Sequence, residues 1–148
     1  PPAPLSVAAG AVALSLFDPD TPVFLAGAHD VPAVRDWITF HTGAPFAAAE
    51  DAVFALGPWA ALLPLDRYRI GTPEYPDRSA TLIVERAGAD GVPAVLHGPG
   101  IETQAAATLP DIAPFQANAR RFPLGLDFLF TEGDSVNALP RTTCVEAG

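Results

Sequence analysis

The stretch Phe122–Val145, FPLGLDFLFTEGDSVNALPRTTCV, decides how this chain is read. Two runs that favour strand flank Glu132-Gly133-Asp134, a turn-forming triplet, so the segment is expected to be a β-hairpin. With all three residues in the turn, Thr131 faces Ser135, Phe128 faces Ala138 and Asp127 faces Leu139. Leu126, Phe128 and Phe130 then share one face, and Asp127 and Leu129 the other. Arg141 falls diagonal to Asp127, within reach of a long side chain. A carboxylate in so apolar a strand is costly unless paired. Two readings of Arg141 follow. It locks the hairpin by pairing with Asp127, or it joins Thr142 and Thr143 in binding an anion through a guanidinium fork and two hydroxyls.

Upstream, Ser79–Arg86 and Val92–His97 read as strands around a turn at Gly88–Gly91, most simply a second hairpin. Val23–Ala26 reads as a short buried strand and Asp51–Leu56 as another, with Gly57-Pro58 opening a helical turn through Leu65. Leu5–Phe17, almost continuously apolar, suits a largely buried helix. A second helix is expected from an Asp30 N-cap and Pro32 through about Thr42, with Gly43 as its left-handed stop. A third begins at Asp111 or Pro114 and ends near Arg121. Strands and helices are mixed, with at least one antiparallel pairing. The expected fold class is therefore α/β, a mixed sheet covered by helices.

Composition bounds the function. At 148 residues the chain is expected to form one domain, residues 1–148. Seventeen acidic against eight basic residues give a net charge of −9, which disfavours nucleic-acid and anionic-membrane surfaces. No apolar run is long enough to span a bilayer. Val7–Phe17 lacks the basic flank of a signal peptide. One cysteine, Cys144, excludes an internal disulfide and fits a reducing compartment, so a cytoplasmic location is expected. The absence of methionine suggests a processed, truncated or partial sequence. All eight basic residues are arginines, so no lysine is present to form a Schiff base, and ordinary pyridoxal-phosphate chemistry is excluded.

Candidate chemistry elsewhere is sparse. His41 is expected on the apolar stripe of its helix, with Val31, Val34 and Ile38, near a C-terminus that favours either a protonated ring or a carbonyl-bonded one. It reads as structural or as catalytic. His29, His97 and Cys144 lack metal-ligand spacing. Gly98-Pro99-Gly100 reads as a tight turn or as a phosphate cradle short of one amide. Tyr68, Arg69, Glu74, Tyr75 and Arg78 give the irregular stretch Arg67–Arg78 the character of a solvated loop or a partner surface. No nucleophile elbow occurs, and no catalytic set emerges.

Several segments together resemble the PhnH family of the bacterial carbon–phosphorus lyase system for phosphonate breakdown. They are Asp20-Thr-Pro-Val-Phe-Leu25, Phe40-His-Thr-Gly-Ala-Pro45, Gly71-Thr-Pro-Glu-Tyr-Pro76 with Ser79-Ala-Thr-Leu-Ile83, Gly98-Pro-Gly-Ile101, and Phe122-Pro-Leu-Gly-Leu-Asp-Phe128 with Leu139-Pro-Arg-Thr-Thr143. The resemblance spans essentially the whole chain, and its terminal motif is the most specific. It implies a fold related to pyridoxal-phosphate-dependent transferases but without that cofactor. It also implies a homodimer and a place in a core complex with the G, I and J subunits. That complex moves ribose triphosphate from ATP onto an alkylphosphonate, with the H subunit as an accessory. On this view Arg141, Thr142, Thr143, Asp127 and His41 serve anion binding or assembly, and no residue of the chain is catalytic. Family members usually carry an additional N-terminal stretch absent before Pro1. Cys144 stands where relatives often carry His or Arg and is assigned no role.

Overall fold

Five strands form a central sheet in the order β1-β2-β3-β6-β7, from Val23–Leu25, Phe54–Pro58, Thr81–Glu85, Asp127–Glu132 and Ser135–Leu139. The first four run parallel, and β7 returns antiparallel to β6. The structure is a computed structural model describing residues 1–88 and 90–148. The sheet is mixed and covered by helices, as the sequence implies.

The alternation of side chains in the central strands builds two cores. Ala55, Leu82, Val84, Phe128 and Phe130 point to one side, whereas Leu56, Ile83 and Leu129 point to the other. The second face is covered by α1 (Val7–Leu16) and α2 (Pro32–Thr42), which contribute Ala9, Val12, Ala13, Val34 and Ile38. The first face is covered by α3 (Trp59–Leu62), α4 (Ala113–Ala119) and a second sheet. That sheet is antiparallel, in the order β5-β4-β8, from Ala105–Leu109, Val92–His97 and Cys144–Ala147. The layers are therefore helix, mixed sheet, and small sheet with helices.

The helices follow local signals closely. In α1, Ser6 caps the N-terminus, its hydroxyl accepting the Ala9 amide at 3.0 Å. Its burial is only partial, because Val7, Ala11 and Leu14 form an exposed ridge and Val7 is 63% exposed. In α2, Val31 rather than Asp30 occupies the N-cap, and Asp30 pairs instead with Arg35 at 2.5 Å. The helix ends at Gly43, whose φ of 70° is the left-handed conformation a glycine adopts at least cost. In α4, Asn118 fastens the entry to β6, its side-chain amide donating to the Leu126 carbonyl and accepting the Leu126 amide, at 2.8 and 2.7 Å.

Three strand expectations are corrected. Ser79–Arg86 and Val92–His97 do not form a hairpin: β3 lies inside the parallel sheet between β2 and β6, while β4 belongs to the second sheet. The run Thr-Leu-Ile-Val of β3 is apolar on both faces, and only a central parallel position buries both. The strand near residue 54 begins at Phe54, because Ala49–Asp51 is a 3-10 turn, and it continues through Pro58. In the terminal hairpin the turn contains two residues, Gly133 and Asp134, so Glu132 faces Ser135 and Phe128 faces Leu139. Only Gly133 has a positive φ, 56°, as a type II′ turn requires. This one-residue slip carries Leu139 onto the face of Phe128, where it is buried, and turns Ala138 outward.

Candidate functional site

The polar groups gather at the two ends of the parallel strands. At their amino ends, Asp127 opens β6 and Ser79 precedes β3. Since Phe128 pairs with Leu139, Arg141 lies just beyond the hairpin's last pair, on a turn closed by the Thr143 amide donating to the Pro140 carbonyl at 3.0 Å. The Arg141 backbone amide donates to Asp127 Oδ1 at 2.9 Å. Its Nε donates to Oδ1 at 3.2 Å and its Nη2 to Oδ2 at 2.7 Å, a two-pronged grip on one carboxylate. Nη1 reaches the carbonyls of Pro76 at 2.7 Å and Pro123 at 3.3 Å, and Nη2 also donates to the Ser79 hydroxyl. A guanidinium has five N–H donors, and protein acceptors take all five. This ties together the hairpin, the loop before β3 and the segment leading into β6.

Burial alone would push the Asp127 carboxyl up, but hydrogen bonds from the Arg141 side chain and amide, with the guanidinium charge, hold it below its ordinary value. The rest of the triplet does not converge on a common point. Thr143 is buried, whereas Thr142 borders a shallow depression with Pro99, Phe122 and Cys144. The Gly98-Pro99-Gly100 loop closes as a turn, Ile101 donating to the Gly98 carbonyl at 3.1 Å.

His41 is not brought to this cluster. It is exposed at the end of α2, its ring 4.9 Å from those of Trp37 and Phe40, and so not on the buried stripe with Val34 and Ile38. The helix turns its Val34–Ile38 side to the sheet, and position 41, seven residues after Val34, lies on much the same side but in the last turn, beyond the last buried residue of the helix. Tyr68 is likewise no surface residue: it is buried, and its hydroxyl donates to the Leu62 carbonyl at 2.7 Å. Tyr75 and Arg78 do stay outside, with the guanidinium 3.7 Å from the ring centre. His97 faces Cys144 across β4 and β8, and its Nε2 lies 3.5 Å from Glu146. Among the described residues no group of three His, Cys, Asp or Glu side chains could hold a metal ion.

A second cluster, at the carboxyl ends of the strands, is one that sequence reasoning did not find. Glu85 closes β3, and its buried carboxylate accepts four hydrogen bonds. These come from the Ser6 amide at 2.9 Å, the Ser6 hydroxyl and Thr131 hydroxyl at 2.5 Å each, and His29 Nε2 at 3.3 Å. Ser6 is the N-cap of α1, so the carboxylate also sits at the positive end of that helix. Burial would raise the Glu85 carboxyl, but the bonds from His29, Ser6 and Thr131 outweigh it and hold it below the usual range. The partners lie 79, 56 and 46 positions away in sequence. Only the Ser6 cap before an apolar run was a legible signal. Carboxyl ends are where open α/β sheets take ligands, and a cleft of about 270 Å³ does open there beside Trp59, Arg86 and Pro110. Glu85 itself is spent on structure.

A carboxyl held low in the folded state stabilises the fold above its unfolded pKa, and that contribution fades as pH falls through the lower folded value. Acid unfolding of the wild type is therefore expected to steepen below about pH 4.3, the ordinary glutamate value. Glu85→Gln is expected to flatten that acid limb and to cost about 2–3 kcal/mol at neutral pH, because an amide NH2 would face donors. Melting temperatures from pH 7 to pH 3 measure both; an unchanged acid limb in Glu85→Gln would refute this role.

Among the described residues no helix is long and apolar enough to cross a membrane. Comparison with known proteins then places the chain. The family model described as bacterial phosphonate metabolism protein (PhnH) matches residues 1–146. The chain is 45% identical over 156 aligned positions to the alpha-D-ribose 1-methylphosphonate 5-triphosphate synthase subunit PhnH of Rhizobium meliloti (strain 1021), a match covering 99% of this chain and 77% of that protein. It is 35% identical over 108 positions to the putative C-P lyase subunit protein HtxG of Stutzerimonas stutzeri, covering 68% of this chain and 54% of the relative. A family model matched from the first residue to residue 146, and a relative aligned along nearly the whole chain, lead to one conclusion: the chain belongs to the PhnH family of bacterial phosphonate metabolism proteins.

Proposed function

We propose that this chain is a non-catalytic subunit of a carbon–phosphorus lyase assembly that degrades phosphonates. In that assembly it supports the transfer of ribose triphosphate from ATP to an alkylphosphonate without touching the reacting atoms. It acts as one domain over residues 1–148, as a homodimer, with the G, I and J subunits as partners. The kinship with pyridoxal-phosphate-dependent transferase folds belongs to the same reading. The observation that carries it is the family match along the chain together with the commitment of Arg141, whose five donors are all taken by protein acceptors. Arg141, Asp127, Thr142 and Thr143 on this view shape a surface for assembly, and His41 with Trp37 and Phe40 supplies another exposed patch. A stand-alone enzyme or binder acting on a phosphorylated small molecule would need free cationic donors, and the geometry offers none at Arg141.

Co-expression with the G, I and J subunits is expected to yield a stoichiometric complex that survives size-exclusion chromatography. The isolated chain is expected to turn over neither ATP nor methylphosphonate. A chain that elutes alone at micromolar concentration in the presence of all three partners would overturn the proposal.

A further inference from the structure

A groove of about 390 Å³ runs between the outer edges of the two sheets. All of β5, Ala105–Leu109, forms one wall, and Asn137–Leu139 of β7 the other, over a floor that includes Phe130 and Leu96. Both walls are edge strands: among the described residues β5 pairs with β4 alone and β7 with β6 alone.

The backbone direction at each edge follows from the ladder, in which successive residues of an antiparallel strand turn their N–H and C=O groups to opposite sides. The Pro93 carbonyl accepts the Gly148 amide, so Pro93 turns toward β8 and Ala94 toward β5. Ala94 pairs with Ala107, so Ala107 turns inward while Ala106 and Thr108 turn out to the groove. The Thr108 carbonyl is indeed taken from outside, by Arg86 Nη1 at 2.5 Å. On β7 the close pair Glu132–Ser135 beside a two-residue turn sets the phase, so Val136 and Ala138 turn outward. The outward-facing backbone groups of Ala106, Thr108 and Ala138 thus border one groove from both sides, the Thr108 carbonyl already held by Arg86, and those of Val136 lie farther along the same edge of β7.

Edges exposed in a protein that works alone are usually blunted by charges, prolines or bulges. Here β5 reads AAATL and β7 reads SVNAL, with no charged residue and no proline within either strand; the charges that border the groove, Arg86 on the Thr108 carbonyl and Glu132, come from neighbouring segments and leave Ala105–Ala107 and Asn137–Leu139 uncovered by charge. The groove matches an extended backbone, which alone supplies donors and acceptors to both edges at once.

We propose that this groove is a strand acceptor: an extended segment of another subunit of the assembly inserts between β5 and β7. It joins the two sheets through main-chain hydrogen bonds, and its inward side chains rest on Phe130, Leu139 and Leu96. The three alanines of β5 leave room for those side chains. The net charge of −9 on this chain favours basic residues flanking the inserted segment. The inference rests on the subunit reading above.

The test is amide hydrogen exchange on the full chain, alone and in complex with the co-expressed G, I and J subunits. The amides of Ala106, Thr108, Val136 and Ala138 are expected to slow at least tenfold in the complex. Ala106→Pro and Ala138→Pro each remove an outward N–H that no ladder within the chain uses and place a ring in the groove. Each is expected to lower co-purification at least tenfold while the isolated variant keeps its far-UV circular dichroism. A complex that forms while these four amides exchange as fast as in the isolated chain overturns the strand acceptor and leaves the subunit reading standing. The same holds if the proline variants co-purify like the wild type. Protection that appears in the isolated chain as its concentration rises assigns the groove to a second copy, and overturns the proposal too. If no complex forms with the wild type, the subunit reading falls and this one with it.

Discussion

Arg141→Ala is expected to destabilise the fold by about 2–3 kcal/mol, because it strips a largely buried guanidinium from a carboxylate, two carbonyls and a hydroxyl at once. Breaking a fully buried pair costs about 3–5 kcal/mol. The figure is lower here because the Asp127 side chain is 36% exposed and regains some water. For a domain of this size the loss corresponds to roughly 4–12 °C in Tm. Arg141→Lys is not expected to rescue it, since one ammonium has three donors and cannot span acceptors arranged around a planar fork. Adding Asp127→Ala to Arg141→Ala should cost less than the sum of the two single changes. Thermal denaturation of the wild type, Arg141→Ala, Arg141→Lys, Asp127→Ala and the double variant measures all of this. A Tm change below about 2 °C in Arg141→Ala would show that the clasp does not hold the hairpin.

Phe128→Ala is expected to cost still more, about 3–5 kcal/mol. Phe128 lies at the centre of β6, only 1% exposed. Its ring stands edge-on to Phe115 at 4.9 Å, with Phe130 at 6.4 Å and Trp59 at 6.3 Å. These three come from α4, β6 and the start of α3, so the ring is where two helices and the central sheet meet. Removing it opens a cavity that such a meeting point cannot collapse to fill. Against a usual total stability of about 5–15 kcal/mol, the variant would be marginal at 37 °C. Phe128→Leu, which keeps most of the volume, is expected to recover more than half of the loss. Urea unfolding at 25 °C gives the comparison, and a loss under about 1 kcal/mol in Phe128→Ala would mean that the cluster does not bind these layers together.

The two residues differ in how visible they are before folding. Phe128 could be assigned to the core from alternation with Leu126 and Phe130, and all three do share a face. The pairing of Arg141 with Asp127 could be anticipated from the cost of an unpaired carboxylate. Its five-way coordination could not, since Pro76 and Ser79 are 65 and 62 positions distant. The register slipped by one because a turn of three residues and a turn of two are equally compatible with Glu132-Gly133-Asp134. Burial of Leu139 against Phe128 settles it. The strand β5 left no trace because Ala105–Ala107 has neither strand propensity nor alternation, and its pairing with β4 is what extends it.

Local chemistry alone therefore determined the helices, from the apolar run that follows Leu5 to the Gly43 stop, and the α/β class, from mixed periods of apolar residues. It determined also the closing hairpin and the absence of lysine chemistry. Tertiary structure decided which strand lies beside which, why Glu85 is buried, and that two uncharged sheet edges face a common groove. The division has a physical cause. Caps, turns and alternation act within a few residues, where the chain's own geometry selects among few conformations. Strand order and buried hydrogen bonds join positions 46 to 79 residues apart, and only the burial of two apolar faces at once selects among their many possible pairings.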